Sequence, residues 1–191
     1  MDLIAIAVPF FLLALITELI VDWRKGTHFY RSNDAINSLS AGILSTTLGY
    51  FTKFLPLIAW GFVLRNFALI DMPLEWFDLS PGGLALWVIA ALAWDFCYYW
   101  FHRFSHEISV LWAAHAVHHQ SEDYNLSTAL RQTSTGFLFG WIFYLPLFVI
   151  GFPLEVLITV NAANLIYQFL SLIHISEPTR PPLLSRMPSS A

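Results

Sequence analysis

His102, His106, His115, His118 and His119 fall within eighteen residues and account for five of the chain's seven histidines. On a helix, residues four apart differ by about 40° around the axis and about 6 Å along it, so His102 and His106 can present two imidazoles to one ion. His115 stands three and four residues before His118 and His119, which puts these rings on one side as well. A lone histidine at the end of an apolar helix is ordinarily an interfacial filler. Five at these spacings describe a metal site, and ionisable groups at membrane depth are costly enough to be functional by default. The donors are imidazoles, because the single cysteine, Cys97, lies in an apolar run and no paired-carboxylate motif accompanies the histidines. Such a set suits zinc, copper, iron or nickel better than magnesium or calcium. Spacing does not choose among the four.

The elements that must position this cluster are apolar. Hydrophobic residues make up 57% of the 191 and the mean hydropathy is +0.62, more than a soluble core requires. A net charge of -4 without any basic run argues against nucleic acid as a partner. Residues 3–21 are long enough to cross about 30 Å of hydrocarbon as a helix, and Trp23, Arg24, Lys25 and Arg31 behind them mark a cytoplasmic interface. Residues 37–70 predict one long kinked helix or a re-entrant hairpin. The acidic loop 71–81 suits the opposite face, and residues 84–101 return to the cytoplasm through an aromatic belt of Trp94, Tyr98, Tyr99 and Trp100. Residues 134–150 and 154–170 predict a further apolar hairpin about Gly151-Phe152-Pro153.

The expected fold is therefore all-α, a polytopic transmembrane helical bundle with a cytoplasmic histidine-rich metal site. Residues 1–32 form an anchor helix with its basic loop and 33–169 the membrane domain. Residues 170–191, with four prolines and no period, predict a disordered or artefactual tail. Within it, residues 173–180 resemble a translated sequencing-adapter string, so the natural sequence is expected to stop near Phe169 and His174 is not counted as a ligand. The sequon Asn125-Leu126-Ser127 would face the cytoplasm and stay bare. A site at the mouth of such a bundle meets its substrate laterally from the lipid, which favours an acyl chain, a sterol or an ether lipid.

The run Trp94-Asp95-Phe96-Cys97-Tyr98-Tyr99-Trp100-Phe101-His102-Arg103-Phe104-Ser105-His106 is followed by Leu111-Trp112-Ala113-Ala114-His115-Ala116-Val117-His118-His119 and by Tyr124-Asn125-Leu126-Ser127-Thr128-Ala129-Leu130-Arg131. Over roughly residues 33–169 the chain resembles the fatty acid hydroxylase and sterol desaturase superfamily, and within it the alkylglycerol monooxygenase-like branch. The resemblance implies a membrane-bound non-haem di-iron oxygenase that uses O2 to hydroxylate or desaturate a lipid at an unactivated C–H bond. Its two irons would be held by histidines from three motifs and supplied with electrons by an external donor, either a protein or a reduced pterin. His102 and His106 match the first motif; His115, His118 and His119 match the second. The third does not follow in this chain, so five imidazoles fill one metal site or half-build two.

Several supporting residues carry two readings. Asp95, seven residues before His102, either accepts a hydrogen bond from a ligating imidazole or a tyrosine, or joins two helices. Asn125 either contacts the metal site or fixes its loop. Arg103 snorkels or pairs with Glu107, or else docks an electron donor, Arg131 marks the cytoplasmic end of the next helix or meets a lipid headgroup, and Asn161 and Asn164 are helix-packing residues. Two other functions fit the histidines: a zinc-dependent membrane hydrolase using Glu107 or Glu122 as acid–base group, and a catalytically incomplete fragment of the family.

Overall fold

The computed structural model describes residues 3–26, 30–121, 125–133 and 135–175. Their regular structure is helical: α1 (Leu3–Lys25), α2 (Ser32–Thr52), α3 (Phe54–Phe67), α4 (Pro81–Glu107), α5 (Ser109–His115), α6 (Leu145–Ile150) and α7 (Leu154–Ile175), with short 3-10 turns between them. By length and composition, Ile6–Lys25 and Pro81–Glu107 are each able to cross a membrane. α2 and α3 pass the same test together but meet at a 47° bend. Pro56 explains the bend: it has no N–H to give the Thr52 carbonyl, and its ring crowds that carbonyl.

α4 begins where Ser80 accepts a hydrogen bond from the Gly83 N–H at 3.1 Å and Pro81 occupies the first turn. It runs 27 residues, about 40 Å. The polar residues His102 to Glu107 thus continue the apolar helix.

Residues 135–150 differ from the expected span. They break into the turns Gly136–Leu138 and Gly140–Tyr144 and then α6, six residues long, where a crossing needs about 20. Gly136 and Gly140 lower helix propensity, and Pro146 cannot donate to the Ile142 carbonyl. The hairpin about residues 151–153 is real but short on this side. Gly151 has φ +111°, and a Cβ there would lie 1.8 Å from the Ile70 carbonyl oxygen, so only glycine lets the two chains pass.

Two clusters hold the bundle together. In the larger, Trp94 stacks on Tyr144 with ring centroids 4.0 Å apart, and Trp60 stacks on the fully buried Phe148 at 5.1 Å, joining α3, α4 and α6 to Val156, Leu157 and Val160 of α7. Trp94 is therefore a core residue and not part of a belt, while Tyr99 is exposed as expected. The smaller cluster joins Leu15 of α1, Leu126 and Phe169 of α7, with Phe11 stacked on Phe169 at 3.9 Å. Beyond these contacts α1 displays Leu12, Leu13, Ile16, Leu19 and Ile20 outward, an apolar surface that suits lipid. Residues 176–191, the greater part of the expected tail, lie outside the described residues, and the backbone of α7 continues through residue 175.

Candidate metal centre

His102 and His106 lie on the last two turns of α4, and their Nε2 atoms are 3.2 Å apart. At Ile108 the backbone becomes extended, φ -102° and ψ 119°, and the chain starts the seven-residue α5. That break brings His115 to the α4 pair, with ring centroids 4.6 Å from His102 and 4.9 Å from His106. One 3-10 turn later His119 joins them, its Nε2 3.0 Å from that of His115. Ligand atoms of His102, His106, His115 and His119 all lie within 4.8 Å of one another. Two nitrogens bound to one ion at about 2.0–2.1 Å and separated by 90–110° stand about 3 Å apart, which is the spacing within each pair. The donor set and its geometry fit a borderline transition metal.

His118 is placed differently. Its ring lies 5.7 Å from His115 and 5.3 Å from His119, and its Nδ1 is 3.0 Å from the backbone carbonyl of Arg131. A carbonyl only accepts, so Nδ1 carries the proton and Nε2 is left with the lone pair. Trp112 lies over the cluster, stacked on His119 at 5.9 Å and 5.4 Å from His106.

Burial holds the His115 imidazole down to about 3 from an ordinary value of 6.5, with help from His102, His119, His118 and His106, while His119 is held to about 4 by burial and by the same kind of crowding. Both rings are thus neutral at pH 7, the form that binds metal. The sign for stability follows. The unfolded rings take up protons below about 6.5 while the folded ones resist, so the unfolded state gains as pH falls. After chelator treatment the protein should keep its full stability above pH 6.5 and lose it progressively towards pH 4. Unfolding midpoints in detergent measured from pH 7.5 to 4.5 check this, and a flat profile would contradict it.

Asp95 accepts a hydrogen bond from the Asn164 amide of α7, and the Asn164 oxygen accepts one from Gln168. The reading of Asp95 and Asn164 as a join between helices therefore describes what they touch. The Tyr98 ring, on the same side of α4, stands 5.8 Å from that of His102. Asn125 is buried and caps the turn Leu126–Leu130, its Oδ1 accepting from the Ser127 N–H at 3.0 Å. Arg103 pairs with Glu107 at 3.0 Å on the exposed side of α4, as expected. Arg131 differs from both expectations: it is buried, with Nη1 2.9 Å from Asp34 Oδ1. Glu122 lies outside the described residues.

Two residues in this network have no precedent in the sequence reading. Glu18 of α1 accepts hydrogen bonds from the Tyr30 hydroxyl and, at 2.9 Å, from the Leu126 N–H. Burial and this carboxylate push the Tyr30 phenol far above its usual range, so it stays a donor. Asp34 of α2 holds Arg131 and Ser121. An acid inside an otherwise apolar helix, as at Glu18, is the signal that was available.

The family model for fatty acid hydroxylase matches residues 87–190. Alkylglycerol monooxygenase of Homo sapiens is 41% identical over 169 residues, covering 88% of this chain and 36% of that protein. The Danio rerio protein of the same name is 41% identical over 165 residues (85% and 35%), and that of Xenopus tropicalis 38% over 168 (88% and 36%). The chain thus spans about a third of the length of these curated relatives. No solved structure matches it. With both histidine motifs inside the matched region, the chain belongs to the fatty acid hydroxylase family, on its alkylglycerol monooxygenase-like branch.

Proposed function

We propose that this chain carries the first two histidine motifs of a membrane-bound, iron-dependent oxygenase that hydroxylates a lipid, with His102, His106, His115, His118 and His119 as metal ligands. The observation that carries the reading is the convergence of four imidazoles within 4.8 Å at the end of a helix long enough to span a bilayer. The curated relatives are named alkylglycerol monooxygenases, which favours an ether-linked glycerol lipid over a sterol or a free fatty acid. Hydroxylation is the favoured outcome, with desaturation as the other arm of the same chemistry.

Iron, when bound, supplies the activation of O2 that no side chain performs alone. The chain's own residues do the rest. Neutral imidazoles at His115 and His119 need shed no proton on binding metal at pH 7. The His118 Nδ1–H is fixed on the Arg131 carbonyl, so Nε2 is the atom offered. Trp112 covers one side of the cluster. Asp95 and Asn125 support the histidines at one remove: Asp95 ties α4 to Asn164 of α7, and Asn125 caps the turn that leads to Arg131. The basic residues Arg24, Lys25 and Arg31 support a cytoplasmic histidine face, open to an electron-donor protein or a reduced pterin.

A complete protein containing this segment, reconstituted with ferrous iron in lipid vesicles, is expected to consume O2 and hydroxylate an alkylglycerol. His118→Ala should abolish turnover while leaving the protein in the membrane. Product formed without O2 would instead favour the zinc hydrolase. That alternative is weakened by Glu107, whose carboxylate is engaged with Arg103 on the exposed side of α4.

A further inference from the structure

The histidine loop is held by groups that lie outside the family match, which begins at residue 87. We propose that Glu18 of α1 and Asp34 of α2 are positioning residues for the metal centre: together they clamp the turn Leu126–Leu130 so that the Arg131 carbonyl fixes the His118 ring. The proposal rests on the reading of His118 as a ligand.

The two grips fall at opposite ends of the turn. At its start, Glu18 takes the Leu126 N–H at 2.9 Å. At its end, Asp34 takes the Arg131 guanidinium at 2.9 Å, with the two side chains only 11% and 9% exposed. The next contact inward is the Arg131 carbonyl on His118 Nδ1, 3.0 Å away. A ligating histidine is aimed by whatever holds its second nitrogen. Here that is a backbone carbonyl, which has no freedom of its own and goes where the turn goes.

The rest of α2 is shaped to the same loop. Asp34, Gly42 and Ser45 recur at helical spacing on one face. A Cβ at Gly42 would lie 2.5 Å from the Leu130 carbonyl oxygen, and Ser45 Oγ donates to the Thr133 carbonyl at 2.9 Å. A helix whose only task was to cross lipid would have no use for a carboxylate, a glycine and a serine in register with a loop nearly a hundred residues away. The N-terminal helices are thus part of the metal centre as well as its anchor.

Titration of the purified full chain with Co2+ in detergent, followed by the visible bands of the bound ion, tests the clamp without any turnover. His118→Ala should weaken Co2+ binding. Asp34→Asn and Glu18→Ala should each weaken it about tenfold in the wild-type background, in line with losses of supporting partners elsewhere. Neither should add a further loss in the His118→Ala background, because both act through that ring. Glu18→Gln, which still offers an oxygen to Leu126, should restore binding. Equal losses in both backgrounds would mean a general loosening of the fold and would overturn the clamp, as would unchanged Co2+ affinity in Glu18→Ala. If His118→Ala itself leaves Co2+ affinity unchanged, the ligand assignment fails and the clamp with it, a result distinct from the other two. Circular dichroism checks helix content, and the Glu18 variants carry the test alone if Asp34→Asn does not fold.

Discussion

Replacing His115 by alanine is expected to remove metal binding more completely than any other single change. His115 is the buried member of the four and is in ring contact with all the others, at 4.6 Å from His102, 4.9 Å from His106 and 4.8 Å from His119, whereas His106, which shares such contacts, is exposed. Loss of a supporting partner costs a metal site about 10–100-fold in affinity, so loss of this ligand should exceed about 100-fold. The pair His102 and His106 would remain on α4 with His119 beside His106, three nitrogens without the buried one. Iron per chain, measured after anaerobic reconstitution and desalting, checks this. Retention of wild-type iron by His115→Ala would move the centre away from these residues. The variant should remain helical, because the cores around Trp94 and Phe148 do not include His115.

The second large effect concerns stability. Asp34→Ala leaves the Arg131 guanidinium buried without its carboxylate, a change that costs about 3–5 kcal/mol in comparable buried pairs. Unfolding of the chain in mixed micelles should report a loss of that size, against about 0–1 kcal/mol for disrupting the exposed Arg103–Glu107 pair. The double replacement Asp34→Leu with Arg131→Met should recover much of the loss, since apolar groups of similar volume can substitute for a buried ion pair. A small effect of Asp34→Ala would mean that the pair is hydrated in the folded protein.

These two residues also mark where the sequence could and could not be read. The spacing of His102 and His106 was legible because α4 continues unbroken through them, and the helical offset alone places their nitrogens together. The meeting of that pair with His115 depends on one extended residue, Ile108, in a stretch whose composition does not announce a break. Trp94 reads as an interfacial aromatic because aromatic residues cluster near it, and only the arrival of Tyr144 from a distant turn makes it core. Residues 135–150 are apolar enough for a span, but hydropathy ignores what Gly136, Gly140 and Pro146 do to the backbone. The supports of the histidine loop were the least legible. Glu18 and Asp34 reach Leu126 and Arg131 across 108 and 97 residues of sequence, and no local pattern carries information over that distance. Asp95 fell between: its unusual position was plain, its partner on α7 was not.

α4 is a single rod with its middle gripped by the core and its end carrying two of the ligands. Trp94, stacked on Tyr144, precedes His102 by about 12 Å along the axis. A turn of the rod by about 10° would swing each imidazole nitrogen sideways by about 1 Å, a displacement large enough to spoil a reacting geometry. The angular setting of the metal pocket is therefore chosen deep in the apolar interior, by how an indole lies on a phenol, and a change in lipid thickness or packing that rolls this helix would be felt as a change in coordination.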